Sequence, residues 1–535
     1  MPPVHFGGNV VLINPYDIKH YEQDVKHLSS YTQTYGLLIV LNQTDFTIAQ
    51  IGENVEDLFK KSPHFLFAKP LTALLPPKTV KSLGDRHRQA SGDFYHRFKF
   101  RKRIAGRLLS FHGLMRRYQD YLVVEIEPVR QSGVATFPHY HERLKTFVSQ
   151  IRPETTFHGT AALIAAEVQR VVDFDRVLIY QFTGGEGDIV IAEALKNPDN
   201  PVSYNGLRFP EFDIPPVARR TFSANRLRMI VDLDAPQARL IPGINPHTNA
   251  PFDPIASMLM GVSPCHTEYY HNMGVKAALA IAIIDEDQLW GLIVGQHDTA
   301  KYIEPDLRNY CDNLGYLMSL VLPRKQRQEI QRYRQYMATT LASLRSSLQG
   351  IDTELLKRPS VQAPGDFPMT NSQTDPFALD HRPESLLQEI LRRYEDKLLA
   401  IVQGMGVALS FGEDLTLMGL TPSDAQVKDL LRWLQGSSEY GQQDVFAINC
   451  LSAVYPPAQT FTAIASGVLG LVIRLQNSAY YILWFRPEIA QTVSWGGVPA
   501  LTTRLDATGT PRLCPRKSFE LWQENVQGKS LAWHP

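Results

Sequence analysis

The chain has 535 residues, which is too long for one hydrophobic core and predicts roughly three or four domains. Lys and Arg total 54, and Asp and Glu total 54, so no global charge drives binding to nucleic acid or an anionic membrane. Cysteines are too few and too widely spaced for a disulfide scaffold or a CxxC site, and stand at Cys265, Cys311, Cys450 and Cys514. The chain begins without a signal-sequence pattern, and no apolar run approaches the roughly 18 residues that cross a bilayer. We therefore predict a cytoplasmic, multidomain protein without nucleic-acid or membrane partners.

The first part of the chain, residues 1–135, has the pattern of a small antiparallel sheet. From Gly36 an apolar strand (GLLIVL), a polar turn (NQTD) and a second strand (FTIAQI) follow one another. Residues 95–127 alternate between apolar and polar side chains, which is the period of a half-buried strand. The basic stretch FKFRKRIAGR shares this alternation, so we interpret it as a solvated sheet face rather than a nucleic-acid site.

A second domain is predicted over residues 140–325. It begins with the helical pattern HGTAALIAAEVQRVVDF and continues into the strands RVLIYQF and DIVIAEAL. Near its end, AALAIAIIDEDQLWGLIVGQH predicts two apolar strands around an acidic turn. Between these strands lies a long irregular segment, residues 196–264, and loops of that length inside a compact domain usually carry a site.

The third part, residues 326–535, is predicted to join the second through a long helix. The helical pattern runs on from Glu304 and is interrupted only by Pro323, so the helix could also offer a dimer face. Residues 358–384 are rich in Pro, Ser, Gln and Asp and predict a flexible insertion. An α/β domain follows from about Leu386.

One short stretch, SPCHTEYYHNMG, combines a thiol, an imidazole and aromatic side chains. Cys265 stands beside His266, and a thiol can add to the unsaturated side chain of a linear tetrapyrrole to form a thioether. Taken alone, a single cysteine is more often a small buried apolar residue. The surrounding motifs therefore decide between the two interpretations.

Five motifs in order resemble the phytochromes, the bilin-binding red/far-red photoreceptors. They are RFPEFDIPPVARR, CHTEYYHNMG, LWGLIVGQH, WFRPE and PRKSF, and the resemblance covers nearly the whole chain. It implies an α+β fold of three domains with antiparallel sheets, PAS, GAF and PHY, joined by the long helix. It also implies an N-terminal figure-of-eight knot, with Ile241 in the loop that is threaded, and a PHY hairpin, the tongue, that reaches back to the bilin.

The resemblance implies a bilin site in the GAF domain, with attachment at Cys265. His266 would tune the thiol or lie over the pyrrole rings. Biliverdin-binding relatives use a cysteine before the PAS domain, whereas the first cysteine here is Cys265, so we expect phycocyanobilin, with phytochromobilin or biliverdin as alternatives. Further residues match the pyrrole-nitrogen acceptor and the D-ring aromatics, and would otherwise pass for a turn and core residues: Asp213, Ile214, Tyr180, Phe209 and Tyr269.

The propionate end of this site departs from the family pattern. Arg228 matches one anchor, and arginine suits a carboxylate because its guanidinium binds in a bidentate fork. Met260 stands at the position of a second arginine, and Ala278 and Ala280 replace hydroxyl-bearing residues. Away from the propionates, Gln296 replaces the histidine that contacts the D-ring carbonyl. We expect the propionates to be held more loosely, with Lys276 as a compensating cation, and the photoproduct stability or colour to change.

The motifs WFRPE and PRKSF resemble the strands of the tongue. In the family pattern Arg516 pairs with Asp213 in the dark state, and Ser518 replaces it after isomerisation, when the tongue refolds towards helix. Without the other motifs, PRKSF would be interpreted as an exposed basic turn. The predicted tongue residues are Trp484, Arg486, Glu488, Pro515, Arg516 and Ser518.

The preferred function is a light sensor in which the bilin isomerises and the tongue and long helix transmit the change. The alternatives are a GAF-type module that binds a cyclic nucleotide or another small ligand, and a bilin-free dimerisation scaffold. We find no catalytic constellation, no ATP-binding Gly-rich box and no phosphoacceptor-histidine helix, so we predict a sensory module without kinase output rather than an enzyme. The expected partners are the bilin, a second copy of the chain through the long helix, and an unidentified output protein or domain.

Overall fold

The fold comes from a computed structural model of the chain. It describes residues 28–90, 94–130, 137–183, 187–200, 202–214, 216–355, 395–411, 414–475, 478–489, 491–499, 502–505, 511–514, 516–526 and 528–533, together with two short strands near the start. The predicted insertion at 358–384 and Pro515 lie outside the described residues. So does most of the chain before Leu28, which would form one part of the predicted knot.

The first domain is built on a twisted antiparallel sheet. Strand β4 is buried on both faces, because Leu37, Ile39 and Leu41 pack into the core of this domain while Leu38 and Val40 pack against the second domain. This double burial explains why the sequence is continuously apolar there rather than alternating. The elements in chain order are β1 (Val4–Phe6), β2 (Asn9–Val11), β3 (Tyr31–Gln33), β4 (Leu37–Asn42), β5 (Ile48–Gly52), α1 (Val55–Phe59), α2 (Pro63–Leu66), α3 (Pro77–Gln89), β6 (Tyr95–Ile104), β7 (Arg107–Tyr118) and β8 (Tyr121–Pro128).

The second domain places helices over one antiparallel sheet whose strands run in the order β12, β14, β15, β9, β10, β11. Strand β13 leaves this sheet and pairs instead with β3 and β5 of the first domain. The elements are α4 (Phe137–Ile151), α5 (Phe157–Val172), β9 (Arg176–Gln181), β10 (Asp188–Leu195), β11 (Arg208–Phe209), α6 (Pro216–Ala224), β12 (Leu227–Ile230), β13 (Gln237–Ile241), α7 (Pro264–Asn272), β14 (Ala277–Asp285) and β15 (Gln288–His297).

A helix of 51 residues follows, and Pro323 lies inside it, as the pattern from Glu304 predicted. The third domain has a five-stranded antiparallel sheet in the order β17, β16, β20, β19, β18. Its elements, with the long helix first, are α8 (Pro305–Leu355), α9 (Glu395–Val402), β16 (Gly406–Phe411), β17 (Asp414–Gly419), α10 (Asp424–Gly436), β18 (Val445–Ile448), α11 (Leu451–Val454), β19 (Gly467–Leu475) and β20 (Ser478–Arg486).

The chain forms two compact units, and the second interrupts the first in sequence. One unit comprises residues 1–327 and 494–523, and the other comprises 328–493 and 524–535. We call residues 494–523 the returning segment. The last four strands are β21 (Gln491–Gly496), β22 (Thr502–Leu505), β23 (Pro511–Cys514) and β24 (Leu521–Val526), of which β22 and β23 form a hairpin.

The predicted α+β fold with antiparallel sheets is confirmed, with one correction. Trp495 of β21 pairs with Arg208 of β11 in parallel, because the returning segment runs along the edge of the second-domain sheet in the same direction as β11. In the part of the chain that the structure describes, no helix has both the length and the apolar character to span a membrane.

Candidate functional site

A cavity of about 220 Å³ lies in the first unit between the second-domain sheet and helices α6 and α7. Side chains alternate across a strand, so Leu178 and Tyr180 of β9 face the cavity while Val177 and Ile179 pack into the core on the other face. Most of the lining is apolar or aromatic. All ten predicted bilin-site residues line the cavity: Tyr180, Phe209, Asp213, Ile214, Arg228, Met260, Cys265, His266, Tyr269 and Gln296.

Helix α7 presents the thiol and the imidazole. Ser263 caps its amino end by accepting a hydrogen bond from the backbone N–H of His266 at 3.2 Å, and Pro264 occupies the first helical position, so Cys265 stands in the first turn. The imidazole of His266 stacks on Tyr270, with ring centroids 4.7 Å apart. His266 keeps solvent-accessible surface, and its imidazole lines the cavity; enclosure of the ring there is the main cause that lowers the pKa of His266 to about 4, with a contribution from Arg228. The ring is therefore neutral near pH 7.

Asp213 and Arg516 form a buried ion pair at one end of the cavity. Arg516 Nε donates to Asp213 Oδ1 at 3.1 Å, and Arg516 Nη2 donates to Asp213 Oδ2. Tyr269 Oη donates to the same Oδ2 at 3.1 Å. The two charged side chains are 3% and 4% exposed, so water contributes little to their solvation. Burial raises the pKa of Asp213, and Arg516 opposes that change.

Arg516 is held in place by the returning segment, to which it belongs, and by helix α7. Arg516 Nη1 donates to the carbonyl of Gly496, and Asn272 Nδ2 of α7 donates to the carbonyl of Arg516 at 3.0 Å. The ring of Phe519 lies edge-on to Tyr269, 5.1 Å between centroids, and under the guanidinium at 4.9 Å. Ser518 is exposed, so in this arrangement Arg516 alone of the predicted exchange pair reaches Asp213.

Trp495, Gly496 and Gly497, in the sequence SWGG, belong to the same returning segment and were not among the predicted site residues. Trp495 is 3% exposed, and a Cβ on Gly187 would lie 2.7 Å from its ring. Gly497 has φ +87°, and a Cβ there would lie 2.0 Å from the carbonyl oxygen of Ser518. The adjacent glycines beside a tryptophan were the signal in the sequence, because they allow two backbones and a large ring to approach closely.

The other end of the cavity is sparsely polar. Arg228 donates to Thr221 Oγ1, and no carboxylate among the described residues pairs with it. Burial lowers the pKa of Arg228 to about 10. Gln296 is buried, and its side chain makes a long contact, 3.8 Å, from Nε2 to the sulfur of Met273. The wall here also includes Met260, Ala278 and Ala280, together with Gln33, whose Nε2 donates to the carbonyls of Met229 at 2.8 Å and Met260 at 3.1 Å.

The predicted compensating role of Lys276 is wrong. Its side chain is half exposed and pairs with Asp234 Oδ2 at 2.9 Å. Lys276 is absent from the cavity wall because it lies just before β14, where its side chain turns to the surface while Ala278 and Ala280 face the cavity.

The prediction that Trp484, Arg486 and Glu488 form a tongue strand is corrected by the structure. They lie in the second unit, at the end of β20 and just after it, where Trp484 Nε1 donates to the carbonyl of Leu398 at 3.0 Å. Arg486 donates to carbonyls of neighbouring segments of that unit and lies 4.0 Å from the ring of Trp533. Glu488 Oε1 accepts the backbone N–H of Gly528. These contacts close the third-domain core, and no residue of the motif lines the cavity.

Comparisons with known proteins cover most of the chain. Three family descriptions match in order, "PAS fold" at residues 21–129, "GAF domain" at 156–309 and "Phytochrome region" at 371–535. Cyanobacterial phytochrome A of Nostoc is 32% identical over 95% of this chain and 61% of its own length. Phytochrome-like protein Cph1 of Synechocystis is 32% identical over 98% of this chain and 65% of its own length. The chain thus spans somewhat less than two thirds of these relatives.

Two solved structures share the fold over nearly the full chain. The bacteriophytochrome RpBphP3 of R. palustris superposes with a TM-score of 0.74 at 27% identity, covering 94% of this chain and 93% of that one. The phytochrome photosensory core module of Stigmatella aurantiaca superposes with a TM-score of 0.71 at 29% identity, covering 94% and 92%.

Proposed function

The chain belongs to the phytochrome family, and on that premise we propose that it is a red/far-red light-sensing region that holds a linear tetrapyrrole in the cavity of the first unit. The observation that carries the proposal is the convergence of Cys265, Asp213 and Arg516 on one cavity otherwise lined by aromatic and apolar side chains.

The residues of the cavity fit such a ligand. Arg228 is half-buried in the cavity wall with no carboxylate partner among the described residues, and a charge withdrawn from bulk water without a partner is costly, so a ligand carboxylate would supply its counter-charge. Tyr180, Phe209 and Tyr269 offer aromatic walls for a conjugated ring system. In this proposal the backbone carbonyl of Asp213 accepts hydrogen bonds from the pyrrole N–H groups, as the family resemblance implies.

Cys265 is the proposed attachment residue. Its thiol adds across a carbon–carbon double bond of the ligand side chain, forming one S–C bond while the thiol proton goes to the neighbouring carbon, and nothing leaves. We propose phycocyanobilin as the ligand, because Cys265 is the first cysteine in the sequence and the cyanobacterial relatives align over nearly the whole chain. When bound, the ligand supplies visible-light absorption and a double bond between its C and D rings that isomerises.

We propose that the structure of the returning segment depends on the isomeric state of the ligand in the cavity. In the described arrangement Asp213 accepts hydrogen bonds from Arg516 and Tyr269, and Phe519 packs on Tyr269. A change around Tyr269 therefore alters the surroundings of the ion pair directly. We propose that light weakens the Asp213–Arg516 pair, that Ser518 takes its place, and that the returning segment refolds.

A second copy of the chain is the proposed partner of helix α8. Tyr316 is 51% exposed and Leu320 is 72% exposed, one turn apart on the same helix. Covering such side chains on association would bury apolar area that a lone helix leaves in water. The output partner is a further domain or protein of unspecified kind, and the region itself is proposed to sense rather than to catalyse.

The test is to produce the chain together with phycocyanobilin and to look for zinc-induced fluorescence of the protein band on a denaturing gel. The parent and a Cys450→Ala control should fluoresce, and Cys265→Ala should not. Parallel thermal-shift measurements with biliverdin and cyclic GMP test the other ligands. Stabilisation by the nucleotide and no fluorescent band with the bilin would overturn the proposal in favour of a GAF-type nucleotide site.

A further inference from the structure

A second buried ion pair lies next to the turn that carries Asp213. Asp188 opens strand β10, and its carboxylate is 1% exposed. Arg219 of helix α6 donates from Nη2 to Asp188 Oδ2 at 2.7 Å. Neither side chain is in the wall of the cavity, so the pair is separate from the proposed ligand contacts.

The guanidinium of Arg219 also reaches the backbone on both sides of Asp213. Its Nε donates to the carbonyl of Ile214 at 2.8 Å, and its Nη2 donates to the carbonyl of Glu211 at 3.3 Å. The turn itself is one short 3₁₀ segment, Glu211–Asp213, closed by a bond from the Asp213 N–H to the carbonyl of Pro210. A single 3₁₀ turn is weak by itself, so its orientation depends on such outside hydrogen bonds.

Arg219 is itself restrained from two directions. Its guanidinium carbon lies 4.1 Å from the ring centroid of Phe182, a distance at which a cation over an aromatic face is attracted. The carboxylate of Asp188, which accepts from Nη2, restrains the guanidinium from a second direction. Because the planar guanidinium makes bonds to a carboxylate and two carbonyls at once, moving it would break all three.

The surroundings of Asp188 make its charge sensitive to pH. Burial raises the pKa of Asp188 to about 6, Glu211 adds to this effect, and Arg219 opposes it. Tyr180 of β9 and Arg208 of β11 lie nearby, the latter donating to the carbonyl of Gly187 at 3.1 Å. As pH falls through about 6, Asp188 takes up a proton and its ion pair with Arg219 is lost.

We propose that Asp188 and Arg219 are positioning residues, which hold the turn carrying Asp213 in the orientation at which its carboxylate meets Arg516. The proposal rests on the light-sensing function above, because it assigns a regulator of the same site. It adds that the orientation of Asp213 towards Arg516 depends on two residues outside the cavity wall, Asp188 and Arg219, as well as on residues that line it.

The test is hydrogen exchange of the returning segment, with and without phycocyanobilin, in the parent, Asp188→Asn and Arg219→Lys. Asp234→Asn is the matched control, because it removes a carboxylate that pairs with Lys276 at the surface of the same unit. We expect peptides from residues 494–523 to exchange about tenfold faster in Asp188→Asn, and by a smaller factor in Arg219→Lys, which keeps the charge but loses the fork. Peptides from α5 should keep the parental rate in every variant.

The pH profile separates positioning from a general loss of stability. After correction for the intrinsic exchange rate, the difference between the parent and Asp188→Asn should disappear below about pH 6, where Asp188 of the parent is protonated. Unchanged exchange of residues 494–523, or an equal acceleration in α5, would overturn the proposal. If Asp188→Asn does not fold, Arg219→Lys decides the matter alone. Failure of the light-sensing function would instead show as absent pigment attachment, while the exchange difference in the pigment-free chain would remain.

Discussion

The two ends of the cavity satisfy buried charge in opposite ways. At the end facing the returning segment, Asp213 already has a guanidinium and a phenol as donors, and its counter-charge is supplied by the chain. At the other end Arg228 donates to the hydroxyl of Thr221 and lies 5.6 Å from the ring centroid of Phe222, and no carboxylate in the described part of the chain pairs with it. A buried charge without a partner costs free energy, so the first end is complete without a ligand and the second is not.

Under the proposed light-sensing function, the two ends would have separate tasks. The paired end is suited to switching, because exchange of one partner changes the stability of the returning segment. The unpaired end is suited to anchoring a ligand carboxylate, and with one described arginine it anchors more weakly than a site with two would. Changes at the two ends should therefore affect different measurements.

The largest effect is expected from breaking the paired end. Arg516→Ala leaves Asp213 buried without its counter-charge, and removal of one partner of a buried pair typically costs about 3–5 kcal/mol. Urea unfolding monitored by tryptophan fluorescence measures this loss. Lys517→Ala, an exposed neighbour, is the control and should change stability by less than about 0.5 kcal/mol. A loss below about 1 kcal/mol in Arg516→Ala would mean that the pair does not secure the segment.

At the unpaired end, Arg228→Gln should raise the stability of the pigment-free chain and lower its affinity for the ligand. The chain without pigment should gain stability, because an unpaired buried charge is removed. Binding of phycocyanobilin should weaken about 10- to 100-fold, since a hydrogen bond to a charged group contributes roughly 1.5–3 kcal/mol. Titration of the pigment into Cys265→Ala and Cys265→Ala/Arg228→Gln measures the affinity, with exposed Arg220→Gln as the control. Equal affinities would contradict the assigned anchoring role.

Polar side chains introduced into the cavity wall should change the surroundings of the ligand. Met260→Arg adds a second cation, and Gln296→His adds an imidazole that can donate a hydrogen bond. Each variant should shift the absorption band and change the rate at which the photoproduct returns to the dark state, by roughly tenfold or less. Met405→Arg, on an exposed side chain of the second unit, should leave the spectrum unchanged. Spectra of both pocket variants indistinguishable from the parent would show that these positions do not affect the ligand.

The smallest effect concerns His266. Its folded-state pKa of about 4 lies below the ordinary value of 6.5, so the unfolded chain binds more protons between these values and stability rises as pH increases from 4 to 6.5. In His266→Gln this part of the pH dependence should be lost, while the plateau above pH 7 stays close to the parent. The comparison of urea midpoints at pH 5 and 7.5 measures it. An unchanged slope in the variant would assign the dependence to other groups.

The residues that line the cavity could be predicted from the sequence because they recur at strand or helix spacing. Tyr180 alternates with buried core residues along β9, and Cys265 and Tyr269 are one helical turn apart on α7. Family motifs then gave these positions chemical roles. Asp213 and Arg516 are 303 residues apart, and the resemblance rather than any local pattern brought them together.

The misplaced residues have a common cause, which is that sequence gives order along the chain but not the direction of a side chain. Lys276 is two residues from Ala278, yet it points to Asp234 at the surface. Trp484 looked like part of a strand that reaches the ligand, whereas its indole closes the third-domain core. The contacts of Arg219 with two carbonyls could not be predicted at all, because they depend on how α6 turns towards β10.

The most direct test of the account is the absorption difference spectrum of the chain assembled with phycocyanobilin, recorded after red and then far-red light. We expect a red-absorbing dark state that converts to a far-red-absorbing form and returns over repeated cycles, with the returning segment exchanging hydrogen faster after red light. If the spectrum of the pigmented chain does not respond to light, the proposal that this cavity senses light is wrong. If the returning segment exchanges equally in both states, Asp213 and Arg516 do not transmit the change.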